Sequence, residues 1–162
     1  MTANPADPAN PGATATGAPP AQIDARGPRF GAALTSVLLA VALLLGASTA
    51  GLVVLTVVAA GFAVGAVRGA QHTWQGWVFR TLVRPRIGAP SEVEDPRPPR
   101  FAQQVGFAIT GIGAVLGVTV TLMAVPVAAA IALVAAVLNA VFGLCLGCEL
   151  YVLGRRLRTR AG

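Results

Sequence analysis

Two long apolar stretches, separated by a polar segment, dominate the hydrophobic pattern of the chain. No charged residue occurs from Phe30 to Val67, and none occurs from Phe101 to Cys148. One helix over the first stretch would be about 57 Å long, whereas the hydrocarbon core of a bilayer is about 30 Å thick. Each stretch must therefore fold back on itself, which predicts four membrane-spanning helices.

Small and helix-breaking residues indicate where each stretch turns. The segment Gly46–Gly51 interrupts the first stretch, and Pro126 interrupts the second. We therefore expect spans near 32–46, 52–67, 101–123 and 127–153. The predicted fold class is all-α, an integral membrane four-helix bundle that occupies residues 29–156.

The polar segment between the two stretches has an amphipathic pattern. Between Trp74 and Val83, tryptophan and aliphatic residues are interspersed with glutamine and arginine. This pattern is typical of a helix that lies in the membrane surface. We expect this interfacial helix over residues 73–84, ended by Pro85, and an extended, proline-rich connection from Glu92 to Pro99.

Polar tails flank the predicted bundle. Residues 1–28 are rich in proline, alanine and threonine, which predicts a disordered tail, and residues 157–162 form a basic tail. A signal peptide is the alternative interpretation of the first span, because Ser48-Thr49-Ala50 resembles a cleavage site. The long tail before Arg26 and the second span that follows at once argue against cleavage.

Composition supports a membrane protein and argues against a soluble enzyme. Of the 162 residues, 55% are hydrophobic and only 11% are charged, where a soluble domain carries about 25% charge. The net charge of +6 arises from 12 basic residues, all of them arginine. Because these arginines border the apolar spans, we expect membrane lipid as a partner and no nucleic acid.

The arginines also predict the topology. They lie before the first span, in the central segment and in the C-terminal tail, and the two predicted turns within the stretches carry none. Positively charged segments remain in the cytoplasm during insertion. We therefore expect a multi-pass protein of the cytoplasmic membrane with both termini and the central segment in the cytoplasm.

The candidate chemistry is concentrated at the end of the last predicted span. Cys145 and Cys148 are the only cysteines, and Glu149 follows them directly. On a continuous helix the two thiols would share a face, and the carboxyl group would lie on the side of Cys145. Thiolates exchange disulfides or bind soft metals. We expect Cys148, nearer the cytosol, to attack, Cys145 to resolve the mixed disulfide, and Glu149 to exchange protons.

Other site chemistries have weaker support. Two cysteines supply half of a tetrahedral zinc site, and the only histidine, His72, is better explained as an interfacial polar residue. We therefore expect no metal and no cofactor. Glycines recur four residues apart at Gly61–Gly65, Gly113–Gly117 and Gly143–Gly147, which favours close helix packing within the chain, although a homo-oligomer stays open.

Four motifs resemble a known family. They are Arg84-Pro85-Arg86-Ile87-Gly88, Glu94-Asp95-Pro96, Pro99-Arg100-Phe101-Ala102-Gln103 and the segment Asn139-Ala140-Val141-Phe142-Gly143-Leu144-Cys145-Leu146-Gly147-Cys148-Glu149. The chain from Arg29 to Arg156 resembles the actinobacterial membrane family called domain of unknown function 4395. The resemblance implies a small multi-span membrane domain. The family's gene neighbours include thioredoxin-like and sulfurtransferase proteins, which implies thiol or sulfur chemistry.

Two functions remain from these observations. The first is a thiol–disulfide or sulfur-relay component that uses Cys145, Cys148 and Glu149 with a cytosolic thioredoxin-like or sulfurtransferase partner. The second is a non-catalytic membrane subunit or scaffold in which the cysteines only pack. The sequence leaves open whether the protein is an enzyme.

Overall fold

The computed structural model describes residues 22–90 and 92–160, and most of these residues are helical. Within these ranges the α-helices are α1 (Arg26–Leu45), α2 (Thr49–Arg68), α3 (Trp74–Val78), α4 (Arg84–Ile87), α5 (Arg97–Thr119), α6 (Ala124–Phe142) and α7 (Leu146–Arg160). A 3₁₀ turn, Ala70–His72, precedes α3, and a π-helical segment, Phe79–Val83, joins α3 to α4. Two short strands, β1 (Ile23–Asp24) and β2 (Val93–Glu94), form an antiparallel pair.

The four long helices α1, α2, α5 and α6 form a bundle. Short turns connect α1 to α2 and α5 to α6, so each pair is antiparallel. The most extensive contacts join α1 to α6 and α2 to α5, and α5 also contacts α6 and α7. The buried core consists of small and aliphatic side chains: Leu39, Ala42, Leu55, Val58, Val125, Ala128, Ala129 and Ala132.

Large apolar side chains cover the outside of the bundle. Leu44 is 87% exposed, and Val118 and Phe142 are each 72% exposed. Such a surface is unfavourable in water and is suited to lipid. Each of the four long helices is long and apolar enough to cross a membrane. The expected all-α chain with four apolar helices is confirmed.

Two of the regularly spaced glycines on α5 let it approach α6 closely. A Cβ atom on Gly117 would lie 2.9 Å from Cγ2 of Val125, and a Cβ on Gly113 would collide with the side chain of Ala128. These glycines therefore serve helix packing within the chain.

The last predicted span, 127–153, is not one helix. The helix α6 ends at Phe142 because Gly143 takes a φ of 69°, a left-handed conformation that glycine adopts without a steric penalty. The N–H of Gly143 donates to the carbonyl of Asn139 at 3.0 Å and closes the helix end. A second helix starts at Leu146 and packs on α5. The hydrophobic pattern continues across this break, so the pattern alone does not reveal that the helix ends there.

Further helix boundaries differ from the sequence-based expectation. The helix α1 begins at Arg26 rather than at residue 32, and α5 ends at Thr119 rather than at residue 123. The helix α5 begins at Arg97 rather than at residue 101, because Pro98 and Pro99 fit the first helical turn, where a backbone N–H has no partner within the helix. The interfacial segment does not stop at Pro85 but continues to Ile87.

The strand pair replaces part of the expected extended connection. Ile23 lies opposite Glu94, and Asp24 lies opposite Val93. Arg26 donates a hydrogen bond of 2.9 Å to the carboxylate of Asp24, which lowers the pKa of that carboxyl group. Residues 23–28, expected within the disordered tail, are therefore ordered in and around β1 and the start of α1, and residues 1–21 lie outside the described residues.

Candidate functional site

The break between α6 and α7 places Cys145 at the start of a helix. Cys145 directly precedes α7, and its Sγ atom accepts a hydrogen bond from the backbone N–H of Cys148 at 3.4 Å. Its carbonyl oxygen accepts the N–H of Glu149 at 3.0 Å. Cys145 therefore occupies the N-cap position, where serine, threonine and aspartate use a side-chain oxygen in the same way. The cap brings the sulfur of Cys145 to the positive end of the α7 dipole.

This geometry separates the two thiols electrostatically. Both cysteines are half-buried and lie after the last candidate span, which ends at Phe142. The hydrogen bond from the Cys148 thiol lowers the pKa of Cys145 to about 7, and the backbone N–H groups of Cys148 and Gly147 act in the same direction. The same thiol–thiol hydrogen bond, together with burial, raises the pKa of Cys148. Cys145 therefore ionises first and is the better nucleophile near neutral pH.

A carboxyl group of the central segment acts on both thiols. Glu94, on β2, is half-buried, and its pKa is raised by burial and by the charge of Glu92. The charge of Glu94 raises the pKa of Cys145 and of Cys148, as a smaller contribution than burial. Sequence reasoning missed this residue, because its position depends on the pairing of β2 with β1 and on the packing of α5 against α7.

A cavity of about 540 Å³ lies beside the cysteine pair. At the end nearest the central segment it is lined by Cys145 and by Asn139 of α6, and Gln75 of α3 and Gln103 of α5 add two further amide side chains to the lining. Nε2 of Gln75 donates to Oγ1 of Thr35 at 3.3 Å. Among the described residues, no donor reaches Oε1 of Gln75, although this atom is buried.

The other end of the cavity is apolar and extends into the bundle. Phe62 of α2, Ile109 of α5 and Ile131 of α6 line it. Ile131 and Asn139 are eight residues apart on α6, so the cavity runs about 12 Å along this helix. Ile131 and Val134 are 55% and 60% exposed. Because both also line the cavity, its mouth opens on the apolar outer face of α6.

Comparison with known proteins adds the family. Residues 23–156 match the family described as Domain of unknown function (DUF4395). The chain belongs to this family. The matched range begins at β1 and ends within α7, so it includes all four long helices, the cavity and both cysteines. No curated protein and no solved structure matches the chain.

The expected site residues of this DUF4395 protein are only partly brought together. The backbone N–H of Cys148 donates to Sγ of Cys145, and this N-cap position favours the thiolate of Cys145 over that of Cys148. Glu149 is exposed and lines a groove of α7 with Leu153 and Arg156, rather than the cavity. Its charge contributes to the raised pKa of Cys148.

The histidine considered as a metal ligand lies elsewhere. Nδ1 of His72 is 2.7 Å from the carbonyl oxygen of Arg68, one helical turn before it. Within residues 22–90 and 92–160, no three side chains among histidine, cysteine, aspartate and glutamate are grouped so that they could hold a metal ion.

Proposed function

We propose that this DUF4395 protein is a membrane thiol–disulfide component in which Cys145 is the attacking thiol and Cys148 resolves the mixed disulfide. One observation carries the proposal: Sγ of Cys145 accepts the N–H of Cys148 at the start of α7. A thiol at a helix N-terminus, followed three residues later by a second thiol, has the arrangement that favours a reactive thiolate.

The exchange balances between the cysteine pair and a partner disulfide. The Cys145 thiolate attacks one partner sulfur, forms a mixed disulfide and releases the other partner sulfur as a thiolate. Cys148 then transfers its proton to Glu94 and attacks Sγ of Cys145, which breaks the mixed disulfide. Two electrons pass to the partner, and its two thiolates take up one proton from Glu94 and one from water. In the reverse direction, a partner dithiol reduces the pair.

Glu94 replaces Glu149 as the proton acceptor in this proposal. The raised pKa of Glu94 brings its affinity for protons closer to that of a thiol, which favours transfer from Cys148. Glu149 faces the outer groove of α7, and we assign it no step.

The proposed location is the cytoplasmic membrane with the cysteine pair on the cytoplasmic side. The cavity is lined by the first turns of α1 and α5 and by the last turn of α6, so these helix ends lie at one end of the bundle with Cys145. The first turns of α1 and α5 and the C-terminal part of α7 carry arginines, which favour a cytoplasmic position. The partner is then a cytosolic thioredoxin-like or sulfurtransferase protein, and lipid surrounds the apolar outer face.

Trapping of the partner tests the proposal. The Cys148→Ser variant retains the attacking thiol and lacks the resolving one, so it should accumulate mixed disulfides through Cys145 in cells. The Cys145→Ser variant is the matched control and should accumulate few. Trapping by neither variant would favour the scaffold function, in which the cysteines only pack, and equal trapping by both would contradict Cys145 as the attacking thiol.

A further inference from the structure

The cavity beside Cys145 combines a polar end and an apolar end in the way that an amphiphilic ligand requires. Cys145 and Asn139 line one end, Gln75 and Gln103 add two further amide side chains, and aliphatic and aromatic side chains line most of the rest. Its volume of about 540 Å³ falls within the range of small-molecule sites, about 300–1,000 Å³. A ligand with a compact hydrogen-bonding head and a hydrocarbon tail fits this division.

The mouth of the cavity indicates where such a ligand comes from. Ile131 and Val134 line the cavity and are also exposed on the outer face of α6. This face belongs to a helix that is apolar enough to span a membrane. A ligand enters by this route from the hydrocarbon layer, which favours a lipid-soluble molecule over a cytosolic metabolite.

The polar end also restricts the chemistry of the head group. Gln103 and Asn139 carry amide N–H donors that suit carbonyl oxygens on a ligand. The buried Oε1 of Gln75 instead needs a donor, and no described residue supplies one. A buried acceptor without a partner is energetically unfavourable, so a ligand that presents a hydroxyl group is favoured.

We infer that this cavity binds a lipid quinone, the two-electron carrier that oxidises the Cys145–Cys148 pair. The inference rests on the proposed function and adds the electron acceptor. The carbonyl oxygens of the quinone accept the amide N–H groups of Gln103 and Asn139. The quinol that forms has a hydroxyl group for Oε1 of Gln75, so this atom favours the reduced ligand.

The redox step balances within the site. Cys145 first loses its proton to solvent. The Cys145 thiolate then attacks a ring carbon of the quinone and forms a sulfur–carbon bond. The sulfur of Cys148 then attacks Sγ of Cys145, a disulfide forms and the sulfur–carbon bond breaks. The electron pair of that bond remains on the ring, whose two oxygens take up the proton of Cys148 and one from solvent. Two thiols and one quinone become one disulfide and one quinol.

The test uses the full-length reduced protein in detergent and a decyl benzoquinone with every ring position substituted, so that the quinone cannot alkylate thiols permanently. We expect one quinone to be reduced for every two thiols lost, measured by quinone absorbance and thiol titration. Gln75→Leu should slow this reaction roughly tenfold, the effect of one lost hydrogen bond to the ligand. Gln104→Leu is the control, because Gln104 is exposed and lies outside the cavity.

A second pair of variants tests the apolar end. Ala135→Phe fills the cavity and should abolish quinone reduction, whereas Ala60→Phe, on the exposed face of α2, should leave it unchanged. Binding without chemistry is measured in the Cys145→Ser/Cys148→Ser variant by quenching of the fluorescence of Trp74, which lies between the cavity-lining Thr73 and Gln75. Saturable quenching that Ala135→Phe removes is expected.

Parallel oxidation with diamide separates failure of this inference from failure of the proposed function. A pair that diamide converts to an intramolecular disulfide, but that the quinone leaves reduced, overturns the quinone site and leaves the proposed function intact. A pair that neither reagent converts overturns both. Equal rates in Gln75→Leu, Ala135→Phe and wild type would show thiol oxidation outside the cavity and would also overturn the quinone site.

Discussion

Gly147 of α7 lies so close to Ala102 of α5 that a Cβ atom on the glycine would be 2.5 Å from the Cα of Ala102. Gly147 is one of the residues between the two cysteines, so this contact holds the Cys-x-x-Cys segment against the bundle. Both Ala102 and Gly147 line the cavity. The closeness of α7 to α5 therefore determines where Cys145 sits relative to the cavity.

Substitution of Gly147 should separate the two helices. Gly147→Ala is expected to lower the free energy of unfolding by about 1–3 kcal/mol, the range typical of an overpacked contact. Thermal unfolding in detergent measures the change. Gly154→Ala is the matched control on the same helix, because nothing lies within 4 Å of the added methyl group, and it should be neutral or slightly stabilising. Equal effects of the two substitutions would contradict the close contact.

Alkylation of Cys145 should follow a titration at lower pH than alkylation of Cys148. Only the thiolate reacts, so the rate in the Cys148→Ser variant should rise with pH and level off once Cys145 is ionised. The pKa of Cys145 should lie somewhat above about 7 in this variant, because the hydrogen bond from the Cys148 thiol is its largest lowering cause. In Cys145→Ser, burial still raises the pKa of Cys148, so Cys148 should react slowly below pH 9. Identical profiles for the two variants would be inconsistent with the N-cap role of Cys145.

Glu94→Gln should have two opposite effects on the pair. Removal of the negative charge favours ionisation, so the pKa of Cys145 should fall and its alkylation profile should shift to lower pH. Loss of the proton acceptor should slow closure of the disulfide after Cys145 has reacted with a disulfide reagent. Glu149→Gln is the control and should leave the rate of closure unchanged. A slower closure in Glu149→Gln alone would restore Glu149 as the proton acceptor.

The topology can be checked with reporter fusions. Fusions after Gly88 and after the C-terminal residue should report the cytoplasm, and insertions at Ser48 or Val125, near the turns between paired helices, should report the opposite side. The physical reason is that the arginines lie in the former segments and not in the turns. An external reporter at Gly88 would place the arginine-rich central segment across the membrane and would contradict the proposed location.

The sequence predicts the four apolar helices well, because a membrane-spanning helix lacks charged residues along most of its length. It does not predict the end of α6. Gly143 ends a helix and Gly113 lies within one, but both are glycines in an apolar sequence, and only tertiary contacts determine which backbone conformation each adopts. Periodicity therefore placed Cys145 inside a helix, where its sulfur could not act as a cap. The sequence also does not predict that Glu94 influences the thiols. Its position depends on pairing with Ile23, which precedes the first two spans in the chain.

That β1–β2 pair also bears on how the protein matures. Glu94 reaches its position when β1, which precedes α1, pairs with β2, which follows α4. Cys145 and Cys148 are synthesised later, after α6. A nascent chain with three inserted helices has the carboxyl group but neither thiol. A chain shortened to begin at Arg26 has both thiols but lacks the strand that positions the carboxyl group. Disulfide closure assisted by Glu94, as proposed here, therefore needs β1 and α7 in place together.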